Sequence, residues 1–392
     1  MKKFLSVLII LFLLMLSGCV GNSETVTPDS EIINAVWIYY SELSMTNVRG
    51  GTGESFKNKF SEMLDICEKY GINTIFFQVR PFCDAFYRSE IFPESAYLTG
   101  RQGGKADYDP LGIAVAMAHE RDISLHAWIN PFRISVDGDV SKLSDDNPAM
   151  KWIKNNSRNV VRTNGGIYFC PASSDAQKIV LDGVREIVNG YDVDGIHIDD
   201  YFYPSTDKSV DESFYNEYIE NGGELSLKNW RLDTVSAFVS QLYSAAKSVS
   251  GDCVFSISPA GNILNNYNEQ YADVKLWCSK RGYCDWIIPQ LYYGFENEKL
   301  SFSLALKMWS ALSLDESVSM IYGIGAYRIN DSDEEWNAGS GIIEKQINMC
   351  RAEKNYGGAA FFSYSSLADK NNASELNNLS TLVPGESFTE QK

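Results

Sequence analysis

The sequence predicts a (β/α)8 barrel, an α/β fold with long βα loops, and three observations carry that expectation. From Ile32 onward, eight short apolar runs of strand character alternate with amphipathic stretches of helical period. Polar and aromatic residues crowd the carboxyl ends of those runs, the end at which parallel barrels keep their chemistry. The roughly 360 residues from Ile32 exceed the ~250 of a typical barrel, and two long connections absorb the excess. No break within 32–392 has the composition of a domain linker, so that span is expected to be one domain.

The first strand is expected at Ala35–Tyr40. A helix from about Glu54 to Tyr70 follows, with Phe56, Phe60, Met63, Leu64 and Cys67 at helical spacing and Gly71 closing it. The second strand, Asn73–Arg80, leads into a Gly- and aromatic-rich loop, Pro81–Asp109, that exceeds ordinary connection lengths and is expected to serve function. Asp109-Pro110 opens the next helix, because proline favours a first helical turn. The third strand, Ile123–Asn130, ends in Pro131-Phe132-Arg133, and a second, polar excursion reaches Pro171 and includes Trp152. A helix over Ser174–Gly190 precedes the fourth strand, which begins at Val193 and has ended by Pro204. The remaining strands are expected at Val254–Pro259, Asp285–Tyr293, Ser319–Ile324 and Gly358–Tyr364, with helices over about Leu227–Val249 and Ser340–Lys354.

Composition narrows the function classes. A formal net charge of -17 argues against a nucleic-acid partner, whose phosphates such a surface would repel. Aromatic residues make up 13% of the chain, which suits both a core and a surface that stacks on sugar rings. At the N-terminus, Lys2 and Lys3 precede the apolar run Phe4–Leu16, the pattern of a secretory signal peptide. The run ends Leu16-Ser17-Gly18-Cys19, which looks like a bacterial lipobox. Residues 1–18 are therefore expected to be a lipoprotein signal peptide and Cys19 the acylated residue. Residues 19–31 would form a flexible tether to the extracytoplasmic face of a membrane. Of the eight cysteines, seven remain beyond Cys19, an odd number that cannot all pair within one chain; Cys278 and Cys284 could bridge locally.

The chemistry is expected at the strand ends. Along Gly195–Tyr201, Ile196 and Ile198 face one side while His197, Asp199 and Tyr201 face the other. Adjacent carboxylates at the end of an apolar strand are costly unless paired or catalytic, so Asp199 and Asp200 head the candidates. An Asp that caps the next helix or pairs with an Arg is the bland alternative. Glycosidic cleavage needs one protonated and one ionised carboxyl. Asp199 is placed to be the ionised one, with His197 and Arg80 or Arg133 lowering its pKa, while Asp200, Glu42 and Asp84 compete for the acid role. Arg80, Trp128, Asn130, Arg133, His197, Tyr201, Gln290, Tyr292 and Tyr364 complete the strand-end set and suit a polyhydroxylated ligand. The three histidines have no HxH or HxxxH spacing, so no metal is expected. No GxSxG or P-loop is present, nor a GxGxxG after the first strand, so no cofactor is expected either.

Several of these runs together resemble the glycosyl-hydrolase-like family 10 domain. They are Ala35-Val36-Trp37-Ile38, Leu98–Gly104, Tyr108-Asp109-Pro110-Leu111, His126–Arg133, Asp194–Tyr201 and Pro289-Gln290-Leu291-Tyr292. That family comprises bacterial, often lipid-anchored (β/α)8 proteins. The resemblance implies glycoside hydrolysis, with peptidoglycan glycan strands as a substrate of some members. The fourth-strand run departs from the DGxDxDxE pattern of family 18 chitinases, since Tyr201 stands where their acid Glu would be. In α-amylase-like enzymes an Asp nucleophile follows an Arg by two residues on this strand, an arrangement similar to His197 and Asp199; their acid Glu has no counterpart near Ser256–Pro259. The expectation is thus a surface-tethered glycoside hydrolase acting on a wall or surface polysaccharide. A non-catalytic carbohydrate-binding lipoprotein on the same barrel is the alternative, and a two-lobed solute-binding protein is disfavoured by the single barrel pattern.

Overall fold

The computed structural model describes residues 32–48 and 51–382. The expected signal peptide, Cys19 and the tether lie outside these residues. Twelve strands are formed among the described residues. They are β1 (Ile33–Ile38), β2 (Thr74–Arg80), β3 (Ser124–Ile129), β4 (Arg133–Ser135), β5 (Val160–Thr163), β6 (Gly166–Phe169), β7 (Gly195–Ile198), β8 (Val254–Ile257), β9 (Trp286–Ile287), β10 (Gln290–Leu291), β11 (Ser319–Ile324) and β12 (Tyr356–Phe361). The order β10-β11-β12-β1-β2-β3-β7-β8-β9, with β9 also pairing β11, closes a parallel barrel. Strands β9 and β10 are two halves of one barrel strand, the expected sixth. Pro289 lies between them and lacks the N–H a ladder needs; its carbonyl instead accepts from Gly323 and Leu291.

Alternation along each strand sorts the core into two layers. Val36, Ile38, Ile75, Phe77, Ile196 and Ile198 pack outward beneath the helices. Ala35, Trp37, Phe76, Trp128, Ile288, Ile321 and Ala360 fill the barrel itself. The helices begin where capping residues stand. Thr52 and Ser55 form a reciprocal capping box on helix Gly53–Lys69. Asp109 caps Pro110–His119, and Ser173 caps Ser174–Gly190.

The two long excursions are ordered by their own hydrogen bonds. In the first, Ala85 bridges Glu94 and a short helix spans Ala96–Thr99. The second contains the antiparallel sheet β4-β6-β5, which the sequence reading did not foresee. Its strands are only three or four residues long, too short for alternation to register. Gln102 and Asn147 stitch the excursions together. The Gln102 side-chain oxygen accepts from Ser144 N at 2.9 Å and from Asn147 Nδ2 at 3.0 Å, and Asn147 Nδ2 also donates to the Cys83 carbonyl at 2.9 Å. Trp152 packs edge-on to Phe169 at 5.9 Å. The seven cysteines beyond Cys19 are buried and unpaired, Cys278 and Cys284 among them.

Candidate active site

A cleft of about 310 Å³ opens at the carboxyl end of the barrel, within the size range of small-ligand pockets. Asp199, Asp200, Trp128, Arg133, Tyr201, Gln290 and Tyr292 all line it, as the sequence anticipates. So do Trp37, Tyr39, Tyr40, Gln78, Ser258, Tyr327 and Phe362. Among the described residues lining the cleft, Asp199 and Asp200 are the carboxylates.

Strand β7 delivers Asp199 to the floor, where it is 4% exposed. Trp128 Nε1 donates to its Oδ2 at 3.2 Å, and Asn130 Nδ2 donates to Oδ1 at 3.2 Å and Oδ2 at 3.3 Å. Both donors come from β3 and the turn after it, the strand that pairs β7. Asn130 is itself oriented, because its Oδ1 accepts the Arg133 backbone N–H at 3.1 Å. Burial pushes the Asp199 carboxyl up to about 7, and neighbouring Asp200 adds to the rise. Arg133, Trp128 and Asn130 oppose it. Burial likewise raises Asp200, against the pull of Gln290 and Arg133. Burial thus raises both of these adjacent carboxyls, and the charge of Asp200 adds to the rise at Asp199.

Arg133 crosses the rim with its guanidinium 3.9 Å from the centre of the Tyr201 ring. Its buried Nε has no hydrogen-bond partner, and neither has the buried Ser258 Oγ. Orphaned polar atoms at a cleft surface are costly unless a ligand or water meets them. The opposite wall is aromatic: Phe362 stacks on Tyr39 at 5.8 Å and on Tyr292 at 5.8 Å, and Tyr327 stands edge-on to both Tyr292 and Phe362.

Five expected site residues lie elsewhere, among them Asp84, which is buried at a second cleft between the two excursions. His197 is fully buried beneath the floor, stacked on Phe76 at 4.1 Å. Trp37 Nε1 can only donate, and it donates to His197 Nε2 at 2.9 Å; the ring proton therefore sits on Nδ1, facing Ser256 Oγ at 2.8 Å. Burial, and then His126, hold its pKa well below the ordinary value. His197 is thus a neutral spacer under the cleft, with no charge to lower the Asp199 pKa. Arg80 is buried in the wall, where it donates to the carbonyls of Phe82 and Pro131 at 3.4 and 3.3 Å. Glu42 accepts from Ser363 Oγ at 2.7 Å, Ser365 N at 2.7 Å and Tyr39 N at 3.0 Å, tying the turn after β1 to the turn after β12. Tyr364 packs against the outer core beside it.

Apart from Tyr292, the aromatic wall is what sequence reasoning missed. Tyr39 and Tyr40 were legible had the first strand been ended at Ile38, since residues just past a strand end face the mouth. Phe362 follows β12 in the same way. Tyr327 sits in a one-turn 3-10 segment, Ala326–Arg328, and carries no sequence signal.

Comparison with known proteins agrees with this geometry. Residues 32–338 match the family described as "Glycosyl hydrolase-like 10". The chain belongs to that family. Glycosyl hydrolase-like 10 relatives include "Glycosyl hydrolase YngK" of Bacillus subtilis, 31% identical over 373 residues, covering 89% of this chain and 71% of that protein. "Glycosyl hydrolase DigH" of Escherichia coli K12 is 28% identical over 374 residues, covering 86% and 84%. The glycoside hydrolase domain of PgaB (BpsB) from Bordetella bronchiseptica superposes with a TM-score of 0.62 at 10% identity, covering 89% of this chain and 98% of that one. An α-L-fucosidase from Paenibacillus thiaminolyticus gives 0.56 at 14% identity, over 89% of this chain and 48% of its own. The family and the fold together make this a glycosidase-like barrel.

Proposed function

We propose that this protein is a surface-tethered glycoside hydrolase that cleaves glycosidic bonds in a bacterial wall glycan or surface polysaccharide. The observation that carries the reading is the Asp199–Asp200 pair on the floor of an aromatic-walled cleft. The sequence predicts Asp199 as the ionised carboxyl, but burial raises it to about 7 instead, so in this reading it holds a proton near neutrality and gives it to the departing glycosidic oxygen. In this reading Asp200 faces the positive charge developing at the anomeric carbon and stabilises it, and water completes the cleavage by adding there and returning a proton to Asp199. Trp128 and Asn130 hold Asp199 in place, and the free donor at Arg133 Nε together with Ser258 Oγ suits sugar hydroxyls. Family membership supports glycoside hydrolysis.

A second reading has one observation in its favour. Paired glycosidase carboxyls flank the scissile bond, whereas those lining this cleft are consecutive in sequence. A carbohydrate-binding barrel without turnover would need neither. Release of reducing ends from purified wall glycans separates the two readings: binding without release favours the second. Tethering is tested apart from chemistry. Cys19→Ala should leave unlipidated protein in the soluble fraction or as precursor, and normal lipid labelling of that variant would sink the anchor.

A further inference from the structure

A second cleft of about 230 Å³ lies between the two excursions, lined by Phe82, Asp84, Tyr97, Gln102, Ser135 and Val136, among others. It adjoins the central one. Tyr40, in the wall of the central cleft, stands edge-on to Phe82 at 5.1 Å and to Tyr97 at 4.7 Å, both of which line the second. Strand β4 runs from one to the other: Arg133 faces the central cleft, while Ile134 and Ser135 line the second. Two residues of strand span roughly 7 Å, so the two clefts are neighbours along β4.

Asp84 gives this cleft its chemistry. It is 2% exposed, and its Oδ2 accepts from Gln102 Nε2 at 3.4 Å. Its Oδ1 is buried with no well-directed hydrogen bond among the described residues. Ser95 and the Ala96 amide lie close enough to offset part of the burial that raises this carboxyl to about 6. A buried oxygen left in that state costs free energy until a donor arrives. Val136 at the rim is 53% exposed, so the cleft is open to a ligand from outside.

We propose that this second cleft is a distal sugar subsite beside the central cleft, in which one ring of a glycan packs on Tyr97 and Phe82 and donates a hydroxyl to Asp84 Oδ1. This rests on the glycan-cleaving reading above and deepens it. The protein would grip a chain some distance from the bond it cuts, and so prefer long glycans to short ones.

The test is a length series. Wall glycans stripped of peptide are fractionated into disaccharides and octasaccharides, and the affinity of each is measured by calorimetry with the full chain. Wild type should bind the octasaccharide more tightly. Asp84→Ala and Tyr97→Ala should each cut the long-to-short affinity ratio by about tenfold, the worth of one good contact. Val136→Trp, which fills the cleft from its exposed edge and spares the buried carboxyl, should lower the ratio equally. An equal loss for both lengths, or a ratio that no variant moves, overturns the subsite while leaving the proposed function standing. Failure of glycans of either length to bind overturns both.

Discussion

Glu42 and Asp199 both lie just past the end of a barrel strand, and in both burial is the largest cause of a raised pKa. The protein surrounds them differently. Glu42 takes three hydrogen bonds of 2.7 to 3.0 Å from the turns after β1 and β12, and does not line the cleft. Asp199 takes longer bonds of 3.2 to 3.3 Å, stands beside a second carboxyl, and faces the cleft. A carboxylate saturated by short bonds has its lone pairs committed and fastens the structure. One held in orientation, but kept near its own titration point, can pass a proton. Strand-end position made both residues candidates, Asp199 ahead of Glu42, and their partners now separate their roles.

The largest effect expected from this contrast is that of Asp199→Asn. It keeps the shape and removes the titratable group, so turnover on wall glycans should fall by about 10³-fold or more with the fold retained. Near-normal turnover, with an unchanged circular dichroism spectrum, would end the assignment. Asp200→Asn comes next, at about 10²-fold in kcat. It also removes an anion that raises Asp199, so the falling alkaline limb of kcat/KM, expected near pH 7 in the wild type, should move to lower pH. A limb that instead falls on the acid side would mean that Asp199 works ionised.

Glu42→Gln should invert the pattern. Its cost is expected in stability, about 1–2 kcal/mol from denaturant midpoints, with turnover changed less than about tenfold. A collapse of turnover at unaltered stability would place Glu42 among the catalytic groups. The last effect is a slope, spread over several pH units. The folded state raises Asp199 from 3.8 to about 7, so it keeps a proton that the unfolded chain releases between those values. The stability linked to that proton is complete below about pH 4 and is lost as pH rises through about 7. Wild type should therefore lose on the order of 1–3 kcal/mol relative to Asp199→Asn across that window. Parallel stability curves for the two proteins would show that the carboxyl is not raised.

The barrel was legible in the sequence because its signal is local. Alternating apolar runs and capped helices appear within a dozen residues, and seven of the eight barrel strands formed within a few residues of the positions read from the pattern. The sixth strand broke at Pro289, a residue visible in the sequence as a ladder breaker. Asp199, Trp128 and Arg133 were legible from strand-end position, whereas alternation alone would turn Asp200 away from Asp199, and it lines the cleft because the chain has left the strand there.

What only the tertiary structure decided was which of the strand-end groups share the cleft. His197 alternates with Asp199 and so faces the same side, yet Trp37 and Ser256, from two other strands, fix it as a neutral ring beneath the floor. The aromatic wall likewise joins Tyr39 after β1, Tyr292 after β10, Tyr327 after β11 and Phe362 after β12. The stretch of chain from Tyr39 to Phe362 leaves no trace of such contacts in local pattern. Barrel closure brings these strand ends together, and the pairing of donors with acceptors across them decides which carboxyl is pinned and which is held ready to titrate.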